Sequence, residues 1–523
     1  MDRKQQFRAD MQAGYTFESD SLILGGAMLD SECIPNTLVR VPLKTLNRHG
    51  LIAGATGTGK TKTLQAIAES LSEAGVPVLV MDIKGDLSGL AALGQGHPRI
   101  TERHQRIGFP HELSPFPVEF LSLSHEKGVR LRATVSEFGP VLFSKTLGLN
   151  DTQSGIVAIL FKYCDDHNLP LLDLKDFKKV LQFVSGEGKP EVEKEYGNIS
   201  VASVGTILRK VIELEQQDAD LFFGEKSFEV DDLLQRTGDG RGVISILRLT
   251  DIQNRPKLFS SFMLSLLAEI YASFPEAGDL AQPKLVMFLD EAHLIFDEAS
   301  KTLLDEIETI VKLIRSKGVG IFFCTQNPTD VPDDVLSQLG MKVQHALRAF
   351  TAKDRKLIKL TAENYPVSDY YRTDEILTSI GIGEALVTVL NEDGIPTPLV
   401  ATLLRAPKSR MGILNERELD EVVNQSRLIP KYNQAIDRES AYELLNGKIQ
   451  YFQDDERLQQ RRREMAEARQ RFSRVRQRST VESVLDSPLS KQIGRTVARE
   501  LTRGLLGVFG LGGRSSRSKT RLF

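Results

Sequence analysis

Short, almost continuously apolar runs recur along the chain, and segments with helical spacing separate them. The runs are Leu51–Ala53, Val76–Asp82, Gly242–Leu249, Leu285–Glu291 and Val319–Gln326. Strands that lack polar alternation are buried on both faces, so the pattern predicts a mainly parallel sheet covered by helices, an α/β fold. The apolar spacing from Thr61 to Glu73 predicts a helix directly after the first run. Ligands of such sheets bind at the carboxyl ends of the strands, and there Asp82, Asp290, Glu291 and Gln326 fall. One shared site accounts for four polar residues in that position more simply than four separate turns do.

Between the second and third runs lie about 160 residues, far more than an ordinary crossover needs, so a subdomain is expected there. Its helical patterns include DTQSGIVAILFKYCDDHN and ASVGTILRKVIELEQQDADLF, with caps at Asn150-Asp151 and Asn198–Ser200. The expected organisation is an N-terminal part of the core over 1–135, a helical insertion over 136–225 and a C-terminal part of the core over 226–405. A helical extension over 406–455 and a basic, partly disordered tail over 456–523 follow.

The turn after the first run carries the chemistry. LIAGATGTGKTKT, Leu51 to Thr63, holds a complete G-x-x-x-x-G-K-T loop between a strand and a helix, the context in which this motif binds phosphate. Gly54, Gly57 and Gly59 let the backbone wrap a triphosphate, with Ala55, Thr56, Thr58 and Lys62 completing the contact stretch from Gly54 to Lys62. Lys60 is expected to reach the β- and γ-phosphates and the Thr61 hydroxyl to ligate Mg²⁺. KLVMFLDEAH, Lys284 to His293, supplies the second constellation. Asp290 at the strand end is expected in the Mg²⁺ shell, and Glu291 one residue on is placed to polarise the attacking water. Two adjacent acids at a buried strand end are costly without a cation nearby.

Composition changes this picture little. With 523 residues, 41% hydrophobic and 26% charged, the chain reads as a soluble globular protein of roughly two to four domains. It has no apolar run of transmembrane length, and MDRKQQFRADMQ at the start is too polar for a signal peptide, so a cytoplasmic location is expected. Cys33, Cys164 and Cys324 lack metal-ligand spacing and imply no disulfide framework. Charge is uneven: Glu456–Phe523 holds 17 Lys or Arg against 6 Asp or Glu, although the whole chain is at −3. ERLQQRRREMAEARQRFSRVRQR suits an exposed helix, and Arg495, Arg499 and Arg503 recur every four residues. Such a tail is a solvated extension, a contact for nucleic-acid phosphates, or a peripheral contact with a membrane surface.

GATGTGKT, MDIKGDLSGL, LDEAH, LIRSKGVGIFFCTQNPTDVP and QHALRAF occur in this order. Together they resemble the HerA-like branch of the HerA/FtsK motor ATPases, and within it the bacterial YjgR-type proteins, from about Asn47 to Tyr442. The resemblance implies a P-loop NTPase fold of the RecA-like ASCE type and ATP with Mg²⁺ as its ligands. It also implies a γ-phosphate sensor at Gln326 and residues lining the site at Asp82, Lys84 and Asp86. Members of the superfamily work as hexameric rings with ATP at a subunit boundary. Arg315 is then the candidate to reach a neighbour's ATP, and Arg348 the alternative. HerA proteins also carry an N-terminal β-barrel, for which the 53 residues before Gly54 are too few once they supply the first core strands. Three functions follow: an ATP-driven DNA translocase or helicase-like motor, an ATPase acting on a protein or envelope assembly, and a nucleotide-gated scaffold. Glu291 speaks against the last, since a scaffold has no need of a water-activating carboxylate.

Overall fold

Twelve strands in one sheet organise the chain. In the computed structural model, which describes residues 2–477 apart from 252–254, 279, 297–300, 435 and 437, they are β1 (Ser21–Leu29), β2 (Glu32–Pro42), β3 (Gly50–Ala53), β4 (Val78–Asp82), β5 (Val118–Ser122), β6 (Val129–Arg130), β7 (Ile244–Arg248), β8 (Leu285–Leu289), β9 (Val319–Thr325), β10 (Met341–Gln344), β11 (Glu384–Thr388) and β12 (Val400–Leu404). Their order across the sheet is β2-β1-β12-β11-β10-β3-β9-β8-β4-β7-β5-β6. From β10 to β6 every pairing is parallel, and from β10 to β2 every pairing is antiparallel.

The sheet is therefore mixed and mostly parallel. The five apolar runs are its central strands β3, β4, β7, β8 and β9, and the antiparallel flank is an addition that the apolar pattern alone does not predict. Residues before the phosphate loop build β1 and β2 of that flank. β3, β4, β8 and β9 are buried at every position, as strands covered on both faces must be. Ile52, Val80, Phe288, Phe322 and Val343 meet in the core, where the Phe288 and Phe322 ring centroids lie 5.1 Å apart. Burying each such side chain contributes about 1.5–3 kcal/mol.

Between β6 and β7 the chain forms helices Val135–Thr146, Asp151–Asp166, Leu174–Ser185, Lys189–Tyr196 and Val201–Glu215. Asn150 caps the second with a reciprocal bond to Gln153, and Ser200 caps the fifth by accepting from the Ser203 N–H. Their core is aromatic: Phe143 packs edge-on against Phe177, at 4.7 Å between centroids, and Phe222 meets Phe262 of the helix Pro256–Ser273.

The chain divides into two units, Met1–Ile449 and Gln450–Phe523. In the second, the described residues continue the helix Ala441–Gln477, and nearly all of those whose burial is described are exposed, as its dense charge requires. Arg495, Arg499, Arg503 and the glycine-rich end, on which much of the tail reading rests, lie outside the described residues. No helix among the described residues is long and apolar enough to cross a membrane.

Candidate active site

The phosphate loop is held between two neighbouring strand ends. Gly54 N–H donates to the Thr325 carbonyl at 3.3 Å, and Ala55 N–H donates to the Ala346 carbonyl at 2.9 Å. Gly54 has φ +151°, and a Cβ built there would stand 2.5 Å from the His345 Cβ, so both backbone shape and space exclude a side chain. Gly59, with φ +113°, starts the helix Lys60–Glu73 from the left-handed region. This geometry aims the first N–H groups of the helix at the loop's mouth, where an anion is favoured.

Lys60 is 8% exposed and folds back on the loop, donating to the Gly54 carbonyl at 2.7 Å and to Ala55 at 3.3 Å. Burial holds its ammonium below the ordinary lysine value, and Glu291 opposes that shift. Thr61 is half-buried at the start of the helix. Lys62 turns aside, donating to the Met411 carbonyl at 2.6 Å.

Two strands away, β8 ends beside the same loop. Asp290 is 4% exposed, and its Oδ2 has no hydrogen-bond partner among the described residues. Burial, reinforced by the adjacent Glu291, pushes its carboxyl up to about 7. An orphaned, buried carboxylate oxygen at this strand end suits a hard divalent cation, which the Thr61 hydroxyl could join in holding. Glu291 is also buried, at 5%, and adopts the left-handed φ of +49°. It pairs with Lys84 through Oε1, while His293 Nδ1 lies 3.3 Å from Oε2.

Lys84 belongs to the turn after β4. Asp82 organises that turn, accepting from the N–H groups of Gly85 at 2.8 Å, Asp86 at 3.2 Å and Leu87 at 3.1 Å. Burial pushes Asp82 up to about 6 against these bonds. Gln326 directly follows β9 and is half-buried. The carboxyl ends of β3, β4, β8 and β9 thus bring Gly54–Lys62, Asp82, Lys84, Asp290, Glu291 and Gln326 to one edge of the sheet.

Arg315 lies elsewhere. It begins the short 3₁₀ turn Arg315–Lys317 before β9, at the amino edge of the sheet, and is exposed. Its charge acts on His49, which precedes β3, and the length of β9 sets it about 20 Å from its own phosphate loop. Arg348, after β10, is exposed on the phosphate-loop edge.

Two features escape the sequence patterns. His345, fully buried after β10, braces the loop's helix through Nε2 and Thr63 Oγ1 at 3.0 Å. Burial, with Lys60 nearby, lowers its imidazole to about 4. The second is a strap from Arg405 to Met411 along the Lys60–Glu73 helix. Glu69, 0% exposed, accepts there from Lys408 N–H at 2.7 Å, Ser409 N–H at 3.0 Å and Ser409 Oγ at 2.5 Å. The i, i+3, i+7 spacing of Lys62, Gln65 and Glu69 was the available signal, since it is a polar stripe on a helix otherwise buried.

Residues 28–516 match the family model described as Helicase HerA-like C-terminal. The chain is 22% identical over 360 residues to the DNA double-strand break repair helicase HerA of Sulfolobus acidocaldarius, covering 67% of this chain and 64% of that protein. It is also 22% identical over 396 residues to the DNA import protein CedB of the same organism, covering 75% of this chain and 58% of CedB. The chain thus spans less than two thirds of the length of these relatives. Among solved structures, the plasmid coupling protein TrwB in complex with ADP and Mg²⁺ superposes with a TM-score of 0.51 at 13% identity, covering 78% of this chain and 94% of that one. That likeness establishes the P-loop ATPase fold.

Proposed function

The chain belongs to the HerA-like helicase family, and from that premise we propose that it is an ATP-hydrolysing motor that forms a ring and moves on DNA. The observation that carries the reading is the buried Asp290–Glu291 pair at the end of β8, facing the loop of Lys60 across the strand ends. A protein that only binds nucleotide has no use for the second, costly carboxylate.

Each residue has a distinct task. Backbone N–H groups from Gly54 to Thr61 hold the phosphates, and Lys60 leaves the Gly54 and Ala55 carbonyls to meet the negative charge. Thr61 and Asp290 would hold Mg²⁺, which supplies charge neutralisation on the phosphate oxygens. Glu291 accepts the proton of the attacking water, and the Gln326 amide reads whether the terminal phosphate is present. Arg315, on the far edge from its own loop, serves a neighbouring subunit's site in a hexamer, adding positive charge where it develops in the transition state. The relatives named for DNA repair and DNA import make duplex DNA the polymer to test, with the basic stretch beyond Glu456 as its electrostatic contact.

ATP turnover by the full chain, with and without double-stranded DNA over a salt series, tests this. Stimulation that fades as salt rises is expected, and removal of 456–523 should weaken it. Lys60→Ala should lose ATP binding, whereas Glu291→Gln should bind ATP and scarcely hydrolyse it. Parent-rate hydrolysis by either variant would sink the assignment.

A further inference from the structure

We propose that Lys84 is a second cation for the terminal phosphate, held by Glu291 until a nucleoside triphosphate draws it away. The inference rests on the ATPase reading above and adds a partner exchange that controls when Glu291 is free to act.

Lys84 pairs with Oε1 of Glu291, whereas Oε2 has no hydrogen-bond partner among the described residues, His293 Nδ1 lying 3.3 Å away. A carboxylate whose charge is met by a paired ammonium is a weaker acceptor for a proton from water. The two partners of the ion pair differ in access: the Lys84 side chain is 39% exposed and that of Glu291 only 6%. The cation therefore stands on the solvent side, between the carboxylate and an incoming ligand. Its backbone is fixed, because three N–H groups of the turn bind Asp82, and Gly85 at φ +73° packs against Thr250, whose Cγ2 would stand 2.8 Å from a Cβ there. Only the four-carbon stem of Lys84 is left to move.

The ammonium faces charges that belong to the phosphate site. Asp290 and Asp86 join Glu291 in attracting it, and its charge is felt at Lys60. Burial alone would lower Lys84, yet the bond and charge of Glu291 hold it above the ordinary lysine value. Lys60 is likewise tied up, on the Gly54 and Ala55 carbonyls. Both ammoniums at this edge hold internal partners. A triphosphate offers several negative charges where Glu291 offers one, so it outcompetes the carboxylate for a mobile lysine. Transfer of Lys84 to the γ-phosphate then uncovers Glu291 only when the γ-phosphate is present. ADP, lacking that group, leaves the pair closed.

The test measures affinity for the β,γ-imido analogue of ATP and for ADP, both with Mg²⁺. Four full-length proteins are compared: parent, Lys84→Met, Glu291→Gln and the double variant. Unchanged ADP affinity reports an intact site in each. With Glu291→Gln, Lys84 no longer has to leave a carboxylate, so Lys84→Met should cut the preference for analogue over ADP by about tenfold in that background. In the parent background the cut should be clearly smaller. A preference that ignores Lys84 in both backgrounds would make Lys84 a support for Glu291 alone and overturn the proposal. An equal cut in both would show phosphate contact without competition and overturn the exchange. A parent protein that binds neither nucleotide would sink the ATPase reading itself, a result distinct from either of these.

Discussion

Replacing Glu69 by Ala should release the strap from the phosphate-loop helix. Glu69 accepts three hydrogen bonds from Lys408 and Ser409, and the Arg405 guanidinium lies 3.6 Å away with its side chain 5% exposed. Burial pushes the Glu69 carboxyl up and the Arg405 guanidinium down, so desolvation weighs on both partners and the Ser409, Lys408 and Arg405 contacts offset it at Glu69. Removing one partner of a buried pair leaves the other charged and uncompensated, which costs about 3–5 kcal/mol. The two orphaned N–H groups fall within the same loss, because these terms are not additive. Glu69→Gln keeps the shape and one acceptor and should cost about 1–3 kcal/mol. Amide hydrogen exchange reads the effect locally, which suits a chain too large for two-state unfolding. At about 1.4 kcal/mol per decade, exchange in the 405–411 segment should accelerate by roughly two to three and a half decades in Glu69→Ala, and by about one to two decades in Glu69→Gln. An increase below about fivefold in the alanine variant, or identical rates in the two variants, would refute the account of the strap as held by this carboxylate.

Gly54→Ala should keep the fold but displace the loop, since its Cβ would stand 2.5 Å from that of His345; triphosphate affinity should fall at least about tenfold, and parent affinity would contradict the packing. His49 accepts from Ile321 N–H through Nδ1 at 3.0 Å and faces the Val311 carbonyl through Nε2 at 2.9 Å, so protonation of Nδ1 breaks a buried bond. Burial lowers this imidazole to about 4. Its contribution to stability is therefore full above the unfolded value near 6.5 and is lost as pH falls toward 4; an NMR titration midpoint at 6 or above would contradict this. If Arg315 acts across a boundary, mixing Arg315→Ala with Lys60→Ala protein should restore part of the activity that neither has alone, and demonstrably mixed rings without rescue would remove it from the shared site.

Legibility in the sequence followed chemistry more than fold. The phosphate-loop motif and the Asp290–Glu291 pair stand out in the sequence because each sets particular residue types at fixed spacing after an apolar strand. β3, β4, β7, β8 and β9 were readable because burial on both faces makes them continuously apolar. β1 and β2 were hidden: glycines interrupt SLILGGAML, and Gly25 lies so close to β12 that a Cβ would stand 2.0 Å from the Leu403 carbonyl oxygen. β5 and β10 are short strands, VEFLS and MKVQ, with polar residues that deny them a clear pattern. The Lys84–Glu291 pair joins positions 84 and 291, and no local pattern announces which lysine a distant carboxylate will meet. The strap reads as a turn, because its purpose appears only beside Glu69.

The antiparallel flank also sets a timetable for the ribosome. β1 pairs on one side with its sequence neighbour β2 and on the other with β12, Gly25 opposite Leu404. At ordinary elongation rates the roughly 380 residues between them take about 20–80 s to emerge. During that interval the β1–β2 hairpin carries an open edge of unpaired N–H and C=O groups. Such an edge recruits other strands. Nascent chains stalled before β12 should therefore self-associate or bind chaperones through β1, and chains that have passed Leu404 should not. Late arrival of one five-residue strand would thus act as a checkpoint on a core whose strands beside the phosphate loop are all synthesised before it.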